Sequence, residues 1–69
     1  MFYFFEKDAE YLRCELRATE DGWFDVRIHE PGFHERVERF GTYQAAHERW
    51  NALSAQFTGD GWTGPFSRE

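Results

Sequence analysis

The chain has 69 residues, a formal net charge of −5 and one cysteine. That length carries one core and not two, the acidic balance argues against general attraction to duplex nucleic acid or anionic lipid, and a lone thiol excludes an intrachain disulfide framework and fits a reducing, cytoplasmic setting. Leu, Ile and Val are scarce, but eight Phe, three Tyr and three Trp supply apolar surface, and with each ring burying roughly 150–250 Å² a core is within reach.

The chain opens on Met1-Phe2-Tyr3-Phe4-Phe5, an apolar run stopped at once by Glu6, Lys7 and Asp8. It reads as a strand over about residues 1–6, not as a leader or a membrane span, which needs roughly 20 apolar residues. The second strand, about 10–18, is the clearest: Leu12, Cys14, Leu16 and Ala18 alternate with polar residues, the period of a half-buried strand. A third, about 23–30, sets Phe24, Val26 and Ile28 on one face and Trp23, Asp25, Arg27 and His29 on the other.

Glu20-Asp21-Gly22 is a three-residue hairpin loop with Gly22 in the left-handed position. It predicts Leu16 opposite Val26 and Cys14 opposite Ile28 inside, with Arg17 opposite Asp25 and Glu15 opposite Arg27 outside. The same logic upstream, with a loop at Lys7-Asp8-Ala9, sets Phe4 against Leu12 and Phe2 against Cys14 inside, leaving Tyr3 beside Arg13 and Phe5 beside Tyr11 outside. Downstream, Pro31-Gly32 signals a turn into a fourth strand, about 35–41. A four-residue loop there opposes Arg27 to Glu38 and Ile28 to Val37 and is preferred over a two-residue loop, which opposes Arg27 to Arg36; a bulge near Arg39 is then expected, to bring Phe40 inside.

From Thr42 the period changes. Tyr43, Ala46, Trp50, Leu53 and Phe57 form one helical stripe, with Thr42 as N-cap and Gly59 as the stop, so the helix covers about 42–58. The tail, 59–69, tucks Trp62 against the sheet or the helix end. The fold class is therefore α+β: a single domain over 1–69, with a four-stranded antiparallel meander and one C-terminal helix packed on one face (ββββα, two layers).

Motifs for chemistry are sparse. His29, His34 and His47 lack the spacing of a zinc ligand set, and His29-Glu30-Pro31-Gly32-Phe33-His34 is broken by its turn. Cys14 falls on the apolar face, where a thiol is an inert small hydrophobe, and Ser54 and Ser67 have no evident base. Gly59-Asp60-Gly61 follows a helix, so it is no phosphate loop. The expectation is a non-enzymatic protein with no cofactor and no metal.

The remaining feature is the open sheet face, for which the candidate interaction residues are Tyr3, Phe5, Tyr11, Arg13, Trp23, Arg27, His29 and Arg36. Seven Arg against one Lys and the aromatic residues fit protein docking, and a homodimer through this face is the preferred reading. Stacking of single-stranded nucleic acid is the alternative, disfavoured by Glu15, Asp25 and Glu38. A small acidic inhibitor of a larger protein is a third reading. No membrane partner is expected. The order of four meander strands and a helix is similar to one repeat of the PUR family, and that resemblance of topology implies pairing into dimers and single-stranded nucleic-acid binding; no binding position is carried over from it.

Overall fold

A computed structural model of the chain describes all residues except Phe33 and Glu69, and Arg68 by its backbone. The element order is β1 (Phe2–Lys7), β2 (Glu10–Ala18), β3 (Phe24–Glu30), β4 (His34–Phe40), α1 (Tyr43–Gly59) and β5 (Thr63–Arg68). All strand pairs are antiparallel, in the spatial order β4-β3-β2-β1-β5, and α1 packs on one face of this five-stranded sheet.

The central hairpin β2–β3 has the register its sequence dictates. Ala18, Leu16 and Cys14 oppose Phe24, Val26 and Ile28, and Arg17 and Glu15 oppose Asp25 and Arg27. Gly22 takes φ +84°, and the loop closes through the Thr19 N–H donating to the Trp23 carbonyl at 2.8 Å.

The first hairpin differs by one residue. Lys7 opposes Glu10 across a two-residue turn, Asp8-Ala9, in which both residues have positive φ, the geometry of a tight primed turn. Phe5 therefore opposes Leu12 and Tyr3 opposes Cys14, while Phe4 opposes Arg13 and Phe2 opposes Glu15. Because side chains alternate, this slip exchanges the two faces of β1 entirely. Tyr3 and Phe5 face the helix, and Phe2 and Phe4 face away from it.

The third hairpin takes neither expected loop. Glu30 opposes His34, a register midway between the two, so Arg27 opposes Val37 and Ile28 opposes Arg36. This intermediate register puts Phe40 beside Phe24 toward the core and Val37 on the open side. The pairing runs unbroken from Phe24 to Glu30, so no bulge near Arg39 is needed.

The core is built from Phe5, Leu12, Cys14, Leu16, Val26 and Ile28 of the sheet against Ala46, Trp50, Leu53 and Phe57 of α1. Trp50 is its hub, with Tyr3 stacked on it at 4.4 Å between centroids and Phe5 tilted at 5.9 Å. Thr42 caps α1, its Oγ1 accepting from the Ala45 N–H at 3.1 Å. The stop lies two residues beyond the expected glycine. Gly59 is the last helical residue, Gly61 adopts φ +97°, and the N–H groups of Gly61 and Trp62 donate back to the carbonyls of Thr58 and Phe57, a Schellman closure that satisfies the helix end.

The segment read as a tail is in part a fifth strand. Phe66 opposes Phe4 and Ser67 opposes Tyr3, with the register shifting between Phe4 and Glu6. Pro65 is tolerated because β5 is an edge. Gly64, at φ +143°, passes so close to β1 that a Cβ there would lie 2.9 Å from the Phe5 ring. This strand covers the β1 edge, so the element order departs from the ββββα order that carried the resemblance to a PUR repeat.

Candidate functional site: the open sheet face

With α1 on one face, the other is bare, and alternation decides which residues occupy it. Across β5, β1, β2, β3 and β4, one row reads Phe66, Phe4, Arg13, His29 and Glu35, and the next reads Phe2, Glu15, Arg27 and Val37. A third reads Arg17, Asp25 and Arg39.

The face divides into an aromatic end and a charged centre. At the β5–β1–β2 end, the Phe4 ring lies 5.2 Å from Phe66 and 6.3 Å from Tyr11. Tyr11 is 57% exposed and Phe66 40%, while Phe2 and Phe4 are half-buried. Beside them an open concavity of about 880 Å³ is lined by Phe4, Tyr11, Arg13, His29 and Pro31.

The charged centre is internally paired. Asp25 is buried, and the Arg39 guanidinium grips it as a fork, Nε to Oδ1 at 2.9 Å and Nη2 to Oδ2 at 3.3 Å. That hydrogen bonding holds the Asp25 carboxyl below its ordinary value; burial opposes it, and the charges of Arg39, Arg27 and Arg17 add to the lowering. Arg27 reaches Glu35 at 3.9 Å. Asp25 is thus bonded across to β4, not to Arg17 of β2 as its register alone suggests.

Of the expected face residues, Tyr11, Arg13, Arg27 and His29 lie on the open side, and Trp23, by alternation with Asp25, continues it at the far end, its ring against Gly41. Tyr3, Phe5 and Arg36 do not. Tyr3 and Phe5 pack on Trp50 because of the β1 register. Arg36, opposite Ile28, lies on the helix side, where it meets Glu30 at 3.4 Å. Glu38 is likewise on the helix side, forked by Arg49 at 2.8 and 3.1 Å, so Glu35 takes its place among the carboxylates of the open face.

Sequence reasoning missed Phe2, Phe4, Phe66 and Val37. For the β1 pair a signal existed: Lys7 and Glu10 flank Asp8-Ala9 as an opposite-charge pair, which the two-residue turn sets face to face.

Other groups offer little chemistry. Cys14 is buried, and burial, only partly offset by the Arg36 charge, pushes its thiol up to about 12. His29 lies on the open face, His34 at the start of β4, and His47 on α1 stacked against Tyr43. Among the described residues no group of three or more His, Cys, Asp or Glu is placed to hold a metal ion. Among them, too, no helix is long and apolar enough to cross a membrane. Compared with family models, with curated proteins and with solved structures, the chain has no match in any of the three.

Proposed function

We propose that this chain is a non-enzymatic interaction module that binds protein through its open sheet face, the partner being a second copy. The observation that carries the reading is the aromatic end, Phe2, Phe4, Tyr11 and Phe66, on a face that the helix leaves bare. Contiguous apolar surface of this kind on a small domain is characteristic of association, and Tyr and Arg are the side chains that interfaces enrich. The charges beside it alternate in sign along β2, from Arg13 through Glu15 to Arg17. Two copies facing each other can offset these so that Arg meets Glu. The buried thiol of Cys14 is no nucleophile, and a single cysteine fits a reducing, cytoplasmic setting.

A second reading rests on Arg13, which lies among Phe4, Tyr11 and His29 around the concavity and has no ion pair among the described residues. That is a minimal stacking and phosphate site for single-stranded nucleic acid. Against it, Glu15 stands next on the same face, and Arg39 and Arg27 are already engaged by Asp25 and Glu35.

Two titrations at low salt separate the readings. Sedimentation of the free protein over a wide concentration range is expected to show self-association that Phe4→Ser weakens. Fluorescence anisotropy with labelled single-stranded DNA and RNA is expected to stay flat. Tight, salt-sensitive binding lost in Arg13→Ala reverses the order of the two.

A further inference from the structure

The sheet has two margins, β4 and β5. An edge strand carries a row of unpaired backbone N–H and C=O groups, and native proteins usually blunt it. β5 is blunted by Pro65, which has no N–H, and by a shift in its ladder with β1. β4 is not. It is seven residues long, free of Pro and Gly, and in unbroken register with β3, and most of it is exposed.

Its sequence, His34-Glu35-Arg36-Val37-Glu38-Arg39-Phe40, has a symmetry that matters only to a second copy. Antiparallel pairing about a two-fold axis at Val37 sets Glu35 against Arg39 and Arg36 against Glu38, twice each, with Val37 meeting itself. No like charges oppose one another. A two-fold relation between antiparallel strands keeps the faces of the two sheets aligned, so the axis must pass through a residue. Moving it to residue 36 sets Arg36 on its own copy, and moving it to 38 sets Glu38 on its own copy. Only the Val37 register matches charge, and cross-strand pairing discriminates on that basis.

The charges already bonded within one copy extend this pattern. Arg39 is held by Asp25 and Glu35 meets Arg27 on the open side, while Arg36 meets Glu30 and Glu38 is held by Arg49 on the helix side. Across the axis these become rows of alternating sign: Asp25, Arg39, then Glu35 and Arg27 of the second copy on one face, and Glu30, Arg36, then Glu38 and Arg49 of the second copy on the other. Val37, a 46% exposed apolar side chain amid charges, sits on the axis.

We infer that β4 is a homodimer edge, pairing antiparallel with β4 of a second copy about Val37 and joining the two sheets into one, with both helices on the same side. This contact uses a different surface from the aromatic end of the open face and leaves that end uncovered.

Sedimentation equilibrium at low salt in the Phe4→Ser background, where association through the open face is weakened, with hydrogen exchange of the β4 amides, tests it. Arg36 lies on the helix side, away from the open face, so Arg36→Glu spares that face, and Glu30→Gln, which loses the same pair within one copy, is the control for the Arg36–Glu30 contact. Arg36→Glu turns two attractive pairs into repulsive ones and is expected to weaken the dimer roughly tenfold, with an unchanged circular dichroism spectrum. Val37→Asp and Val37→Lys are each expected to dimerise poorly and to recover on mixing. β4 amides that point away from β3 are expected to gain protection as concentration rises. Phe4→Ser is expected to leave all of this intact, so its effect reports on the open face separately. An Arg36→Glu dimer as tight as the parent, no recovery on mixing, or β4 protection independent of concentration would each overturn the inference.

Discussion

The phenol ring of Tyr3 lies flat on the indole of Trp50, with centroids 4.4 Å apart and planes inclined by 16°. This contact joins β1 to α1, and Phe5 closes over the same indole from the next inward position of β1. Trp50→Ala therefore removes the hub of the core and should cost about 3–5 kcal/mol, enough to leave a domain this small largely unfolded at room temperature. Thermal unfolding followed by circular dichroism checks it, and a midpoint within a few degrees of the parent would show that the helix does not seat through Trp50.

Gly64→Ala should be more damaging than Gly22→Ala. Both glycines have positive φ, but a Cβ at Gly22 meets nothing within 4 Å, whereas one at Gly64 lies 2.9 Å from the Phe5 ring and 3.0 Å from the Phe4 carbonyl. The first substitution carries a backbone cost of about 1–2 kcal/mol. The second adds overpacking of about 1–3 kcal/mol and should displace β5 from β1. Urea midpoints of the two variants decide the order.

Acid should weaken the fold through two forked carboxylates. Arg39 lowers Asp25 from its ordinary 3.8, and Arg49 lowers Glu38 from its ordinary 4.5, in each case chiefly by hydrogen bonding. A carboxyl lowered by folding contributes stability that is complete above its ordinary value and lost as pH falls through the folded one. Urea unfolding should therefore show stability falling below about pH 4.5, and Asp25→Asn with Glu38→Gln should flatten that fall.

Cys14 should report unfolding. Its thiol is pushed from 9.0 up to about 12, mainly by burial. The native protein should therefore resist iodoacetamide at pH 8, and alkylation should follow the urea transition. Because the unfolded thiol ionises above 9.0 while the buried one stays protonated, stability is complete below pH 9.0 and falls as pH rises toward 12. Rapid labelling without denaturant would place Cys14 outside the core.

The β2–β3 hairpin could be read from the chain because turn residue, apolar alternation and charge pairing fix one register. β1 could not be read that way. Met1-Phe2-Tyr3-Phe4-Phe5 is apolar at every position, so alternation carries no information on which face is which, and the turn length alone decides. The turn at Asp8-Ala9 uses positive φ at two residues without glycine, which hides it. The open face inherited that ambiguity, with Tyr3 and Phe5 exchanged for Phe2 and Phe4. In β4, the opposition of Arg27 to Glu38 favours a register that turns Val37 inward beside Ile28, yet the observed register places Val37 outside and gives the inner position to Phe40. β5 was obscured by Gly64 and Pro65, breakers that only an edge strand tolerates.

The most direct test of the proposed docking face is a series of proton–nitrogen correlation spectra of the labelled protein from micromolar to millimolar concentration. The account predicts concentration-dependent shifts at Phe2, Phe4, Tyr11, Arg13 and Phe66, reduced in Phe4→Ser, together with a separate set along β4 that Phe4→Ser leaves in place. Spectra that do not change with concentration, or changes confined to the exposed side of α1, would contradict it.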